Sequence, residues 1–336
     1  METVRNYLRK TLEREKIAGM AVAVTDREKI LFAEGFGVES IERPGVPVTS
    51  KSLFRIASIT KVVTGMTILS LVEEGKLRLT TRVKEILPWL TLTDGNTEEN
   101  VTLGHLLSHT AGLPAEYTPE GPREESALEP SLQEGLPTLL MQYPLGEGYL
   151  YSNWGIRLAS LMAEKVTGKP FTRLAQERVL TPLGMDRTTF DLHIAATYSI
   201  CLPHTEENGV FSVFHKLQEN AARQAAGGLY SNAEDLCVLA RCLLNEGAPI
   251  LQKSSIDEMK VPRGKPKGFD SYGITLFGHN GENGQVYFHP GSAPPYATSL
   301  YIHPDSGLGI VTLMNTRRDK LRHTVPNGIL QMLNKE

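Results

Sequence analysis

The sequence predicts an α+β fold: a mainly antiparallel β-sheet flanked by helices, with an all-helical region inserted between the two stretches of chain that build the sheet. Three observations carry this reading. Strand-like runs gather at both chain ends, their connections are too short for parallel crossovers, and the middle of the 336-residue chain keeps helical spacing. Composition fits, since 40% hydrophobic and 22% charged residues are ordinary for a globule. A chain of this length buries enough apolar surface to need no disulfide or metal staple.

Residues 2–16 place Val4, Leu8 and Leu12 at helical spacing with Tyr7 alongside, which predicts an amphipathic helix. The runs Gly19–Thr25 and Lys29–Val38 are apolar and β-branched, and Asp26-Arg27-Glu28 between them predicts a hairpin. A helix after Ser58 stops at Gly75, and one over Trp154–Val166 stops at Gly168, each with a glycine C-cap. Residues 110–137 hold Pro114, Pro119, Pro122, Pro130 and Pro137 and read as a long irregular loop, the kind that often covers a site. Ala233–Asn245 begins with Ser231-x-x-Glu234, read as a capping box. Strands follow at Tyr272–Gly278, Gln285–His289, Ala297–His303 and Gly309–Met314, and a last helix at Leu321 to Leu333 packs back on the sheet. The expected division is a sheet domain of 1–82 with 265–336, a mostly helical domain of 83–264, and an active site in the cleft between them.

Several functions are disfavoured. A net charge of −3 argues against a general nucleic-acid binder, and Lys260, Arg263, Lys265 and Lys267 sit in a Pro/Gly-rich segment read as a solvated loop. Val62 to Val72 is the longest mostly apolar stretch, too short to cross a bilayer, and Met1 to Lys16 is charged throughout. The expectation is a soluble, cytoplasmic protein with no membrane or nucleic-acid partner. Cys201, Cys237 and Cys242 form no CxxC, so neither a disulfide framework nor a zinc knuckle is indicated. His105 and His109 have the spacing of a two-histidine metal site on a helix, but no carboxylate follows at a ligand offset, which favours structural histidines.

The chemistry concentrates at Phe54-Arg55-Ile56-Ala57-Ser58-Ile59-Thr60-Lys61. A serine hydroxyl needs a base to become a nucleophile. Ser58 at a helix start and Lys61 three residues on share a face, and burial would lower the lysine's pKa into the range of a proton acceptor. The bland reading is an N-cap serine followed by a surface lysine, and about one S-x-x-K is expected by chance in a chain of this composition. Tyr-Ser-Asn occurs at Tyr151–Asn153 and at Tyr230–Asn232, each before a helix, so capping accounts for both. Gly146-Glu147-Gly148 ahead of the first copy would let backbone approach a cleft. His289-Pro290-Gly291-Ser292 ends a strand and could present a backbone N–H to a substrate or simply turn the chain.

In this order, Phe54–Lys61, Leu106-Leu107-Ser108-His109-Thr110-Ala111-Gly112-Leu113, Tyr149–Gly155, Gly227–Ser231 and His289–Gly291 resemble the serine β-lactamase and penicillin-binding protein superfamily. Within it they are most similar to the class C-like esterases and D-stereospecific peptidases, across roughly residues 15–315. The resemblance implies the β-lactamase/DD-peptidase-like form of the fold and places the family tyrosine on Tyr151, with Tyr230 structural. It implies Ser58 as nucleophile and Lys61 with Tyr151 as the proton-handling pair, either being the formal base. Asn153, His289, Gly291 and Ser292 would bind substrate, and the backbone N–H groups of Ser58 and Ser292 would form the oxyanion hole.

His289 stands where β-lactamases of this type carry the lysine of Lys-Thr-Gly. Histidine is mostly neutral at pH 7, and Pro290 removes a donor, which favours neutral esters over carboxylate-bearing substrates. The expected function is a carboxylesterase on short-chain esters, with weak β-lactam hydrolysis as a side activity. The alternatives are a D-amino-acid amidase or peptidase, a β-lactamase, or an acylatable sensor or scaffold without turnover. The partner is a small-molecule ester or amide, and no cofactor or metal is implied, because side chains and water suffice. Oligomeric state is not readable from the sequence.

Overall fold

The computed structural model describes residues 1–94, 97–116, 121–215 and 220–334. Among these residues, β1 (Gly19–Thr25), β2 (Ile30–Gly37), β3 (Ser271–Tyr272), β4 (Phe277–Gly281), β5 (Gly284–Ala293), β6 (Tyr296–His303) and β7 (Leu308–Met314) form one sheet in the order β2-β1-β7-β6-β5-β4-β3. Every pairing is antiparallel, and the seam joining the chain ends is β1 on β7, with Met20 opposite Met314 and Val24 opposite Ile310. The mainly antiparallel sheet with flanking helices is the expected fold class.

Alternation along β1 sorts its side chains to two layers. Met20, Val22 and Val24 join a cluster with Val4, Leu8, Val325 and Ile329, from α1 (Glu2–Arg14) and the C-terminal helix. Ala21 and Ala23 face the other layer with Leu236, Leu239 and Ala240. There α2 (Thr60–Glu73) is buried nearly all round, so Lys61 is drawn into the interior with its apolar neighbours. The remaining helices used below are α3 (Leu103–Leu107), α4 (Asn153–Thr167), α5 (Ala233–Leu244) and α6 (Leu321–Leu333). Helix α5 packs on β1, β6 and β7.

Local departures from the expected elements have identifiable causes. The run Tyr272–Gly278 is two strands, because the Ile274 and Thr275 N–H groups bond the Met259 and Leu107 carbonyls and Thr275 turns at φ +54°. The second half of the 110–137 segment is helical: Leu128–Gly135 buries Leu128 and Leu132, and Pro130 sits in the first turn, where no N–H is required. Pro119 lies outside the described residues. The cap of α5 is Asn232, which accepts from the Asp235 N–H at 2.9 Å, while Glu234 accepts from Ser50 Oγ at 2.6 Å. Helix α3 ends at Leu107 and His109 has φ +59°, so the two histidines do not share a helix face. All three cysteines are buried and free.

Candidate active site

Ser58 lies in the 3-10 turn Ala57–Ile59, between the short strand Phe54–Arg55 and α2. That strand pairs with Tyr230–Ser231, and the Ile56 N–H bonds the Leu229 carbonyl at 3.0 Å, so the turn is held from the chain's far side. Ala57, just before the serine, has φ +51°, a left-handed conformation that costs a non-glycine residue about 1–3 kcal/mol and persists only when the surroundings enforce it.

One turn on, Lys61 is fully buried. Its Nζ stands 3.1 Å from Ser58 Oγ and donates to the Ala226 carbonyl at 2.6 Å. Loss of solvent drives the Lys61 pKa well below its ordinary value; Arg223 pushes the same way and Glu116 opposes. The ammonium position lies 4.8 Å from the centre of the Tyr151 ring.

Tyr151 arrives from the segment before α4, fixed by two contacts to His109: Leu150 N–H to its carbonyl at 3.0 Å and Ser152 N–H to its Nδ1 at 3.2 Å. The second bond makes Nδ1 an acceptor, so the neutral ring carries its proton on Nε2. The rings of His109 and Tyr151 are 4.4 Å apart. The Tyr151 hydroxyl is buried; burial raises its pKa above the phenol range, against an opposing hydrogen-bonding contribution from Ser58. Ser152 Oγ donates to the Pro114 carbonyl at 2.7 Å and Asn153 Nδ2 to the Glu116 carbonyl at 2.7 Å. Glu116 also takes the Arg157 guanidinium at 2.9 Å, in a buried pair. The wall at 114–116 is thereby tied to the first turns of α4.

The third side is β5. Strand β4 accompanies it only as far as Phe277 opposite Phe288, so the outer edge from His289 onward is open and packs on the Ala57–Ile59 turn. Pro290 has no N–H to give its β6 partner Ser299, so its nitrogen faces the open edge, and Ser292, two residues on, turns its N–H the same way. Gly291 makes the close approach possible: a Cβ there would lie 2.3 Å from the Ile56 carbonyl oxygen and 2.1 Å from Thr298 Oγ1. His289 is fully buried; its Nδ1 is 2.8 Å from the Pro290 carbonyl and its Nε2 3.2 Å from the Tyr272 hydroxyl. Burial first and Lys61 second lower its pKa to about 3.

These parts surround a cavity of about 400 Å3. Ser58, Tyr151, Asn153, His289 and Ser292 line it, whereas Lys61 and Gly291 stand behind its wall. The strand does not end at His289 but runs to Ala293. Gly148 packs on the Tyr143 ring, and neither it nor Gly146 lines this cavity. Tyr230, the second Tyr-Ser-Asn copy, is buried beside Arg55 and bonds Thr189 through its backbone, away from the cavity. The sequence reading missed Phe277, Arg223, Arg317 and Arg322 on the lining and Tyr272 behind it. Arg317 and Arg322 follow β7, and both engage Asp319, at 2.8 Å and 3.1 Å. Among the described residues no cluster of His, Cys, Asp and Glu is arranged to hold a metal ion, and no helix is long and apolar enough to cross a membrane.

Comparison with known proteins gives the family and the fold. "Protein flp" of Staphylococcus aureus (strain MW2) is 25% identical over 333 residues, covering 96% of this chain, and the chain spans only 64% of that protein's length. Among solved structures, "EstCE1, a hydrolase with promiscuous acyltransferase activity" superposes with a TM-score of 0.84 at 20% identity, covering 98% of this chain and 97% of that one. A D-stereospecific amidohydrolase from Streptomyces sp. gives 0.76 at 21%, covering 94% of each chain. At these identities the two structures share the fold. A family model described as Beta-lactamase matches residues 4–330, nearly the whole chain and every segment assembled above, and on that match the protein belongs to the Beta-lactamase family.

Proposed function

We propose that the protein is a serine hydrolase that forms an acyl-enzyme on Ser58 and acts as a carboxylesterase on short-chain, neutral esters. The observation that carries this reading is Lys61, a lysine fully stripped of solvent with Nζ 3.1 Å from Ser58 Oγ. Burial lowers its pKa well below the ordinary lysine value, which favours the neutral amine that a proton acceptor for the serine requires. In the proposed cycle Ser58 Oγ bonds the ester carbonyl carbon as its proton passes to the Lys61/Tyr151 pair. The N–H groups of Ser58 and Ser292 hold the oxyanion, and collapse expels the alcohol, which takes its proton through Tyr151. Water then repeats the sequence on the acyl-enzyme. Asn153, His289 and Gly291 shape the substrate's berth. On this reading 83–264 supplies Tyr151 and Asn153 from one side of the cleft, and 1–82 with 265–336 supplies Ser58 and the β5 edge from the other.

Neutral esters are favoured because His289 has no charge and both its nitrogens are engaged. One observation favours a second reading, a D-amino-acid amidase or peptidase: Arg317 and Arg322 on the cavity wall could meet a substrate carboxylate, although Asp319 already draws both. The test is turnover of p-nitrophenyl butyrate, a D-aminoacyl p-nitroanilide and a chromogenic cephalosporin, by wild type and Ser58→Ala. The ester leads, and the mutant loses it. Faster turnover of the anilide would favour the second reading, and stoichiometric labelling without turnover would favour a sensor.

A further inference from the structure

Tyr272 takes no part in the cycle just described, yet it lies at the centre of the aromatic group behind the site. It is fully buried, pairs with Phe277 across the β3–β4 ladder, and its ring lies 4.6 Å from Phe277, 4.9 Å from His109 and 5.4 Å from Tyr149. Those contacts need only the ring. The hydroxyl has a separate task, because its one hydrogen-bond partner among the described residues is His289 Nε2, at 3.2 Å.

The direction of that bond follows from the other end of the imidazole. The Pro290 carbonyl 2.8 Å from Nδ1 can only accept, so Nδ1 carries the proton. Nε2 of the neutral ring is then an acceptor, and the Tyr272 hydroxyl donates to it. We propose that Tyr272 is a positioning residue of this site: with the Pro290 carbonyl it holds His289 as the neutral Nδ1–H tautomer, so that the ring at the head of the β5 edge offers the substrate neither a charge nor a free nitrogen.

The surroundings act in the same sense. The groups that face His289 are Lys61 from α2, Arg322 from α6, Tyr151 from the segment before α4, His109 beyond it, and Tyr272 and Phe277 from β3 and β4. Lys61 and Arg322 disfavour a second positive charge, burial does so more strongly, and among the described residues no carboxylate acts on the ring. A hydrogen bond donated to Nε2 adds to this, since it stabilises the unprotonated nitrogen. The consequence for substrate choice rests on the esterase reading: His289 gives no advantage to an ester with a distant carboxylate at any pH where the enzyme works. The tautomer itself does not depend on that reading.

The experiment is 15N spectroscopy of histidine-labelled protein, with His289 assigned from His289→Gln, on wild type and Tyr272→Phe. The expected wild-type spectrum shows a protonated Nδ1 and an unprotonated, hydrogen-bonded Nε2, unchanged from about pH 8 to pH 5.5. Tyr272→Phe keeps the ring packing and removes only the donor, so Nε2 should move to the higher shift of an unbonded nitrogen, an effect a merely structural role would not produce. An imidazolium, an Nε2–H tautomer, or a Tyr272→Phe spectrum identical to wild type would overturn the proposal. Should Tyr272→Phe not fold, the wild-type tautomer alone decides. In parallel, the ratio of kcat/KM for p-nitrophenyl hemisuccinate to that for p-nitrophenyl butyrate should stay flat over that range. A ratio that rises on acidification and flattens in His289→Gln would overturn it. Absence of ester turnover would count against the esterase reading and leave the spectrum to rule on Tyr272.

Discussion

At the scale of single residues, burial does most of the chemistry. Lys61 has the side chain of a surface residue and the environment of a leucine, and both its use and its cost follow from that. Between its lowered folded pKa and its ordinary unfolded one, the unfolded state binds a proton that the native state does not, so stability falls as pH falls through that window. Lys61→Met should therefore raise the thermal midpoint by about 2–4 °C at pH 7 while lowering ester turnover about 10²–10⁴-fold. A melt and a rate assay on one preparation check both, and a lower midpoint would contradict the account of its burial. The pH–rate profile should show an acid limb as Lys61 takes up a proton, with no break assignable to His289, whose pKa of about 3 lies below the working range. His289→Gln should accordingly leave the position of that limb unmoved in plots of kcat/KM against pH.

At the scale of elements, the site depends on how closely one strand edge approaches one turn. Gly291 sits where β5 passes the Ile56 carbonyl, and Gly291→Ala would push the edge carrying Ser292 away from Ser58. The expected result is a loss of about 1–3 kcal/mol in urea unfolding and a roughly 10²-fold lower kcat, since sub-ångström placement of the proposed oxyanion donors is what is disturbed. The terminal hairpin, α1, the C-terminal helix and the motif carrying Ser58 and Lys61 were legible in the sequence, because a periodic apolar pattern or a short spacing suffices to find them. The break after Tyr272 was not, because the carbonyls that cause it, of Met259 and Leu107, come from distant chain. The sequence pointed to Ser231 as the cap of α5, but its hydroxyl is engaged by Thr188 and Asn232 takes the Asp235 N–H instead, a choice set by contacts from distant chain. Arg322 and Tyr272 were invisible for a related reason: nothing local marks a residue whose role is set by a partner on another element.

At the scale of the whole molecule, the fold joins both chain ends into one sheet and closes the middle of the chain over it, burying the imidazoles of His109 and His289 and the amine of Lys61, each with its pKa lowered by loss of solvent. Both histidines have folded pKa values held below 6.5, so the unfolded chain takes up protons first and stability declines as pH falls below about 6.5, for His289 down to about 3, by at most about 1.4 kcal/mol per pH unit for each. Urea midpoints should therefore be lower near pH 4.5 than near pH 7, with the difference reduced in His289→Gln. An unchanged midpoint would show that the imidazoles are already solvated. The central claim, that this assembly of strand edge, turn and buried lysine makes Ser58 a nucleophile, is tested most directly by acid-quenching the enzyme during p-nitrophenyl butyrate turnover and mapping the adduct by peptide mass spectrometry. The account predicts one butyryl group on the peptide containing Ser58, absent from Ser58→Ala; a butyryl group on any other residue, or turnover that persists in Ser58→Ala, would contradict it.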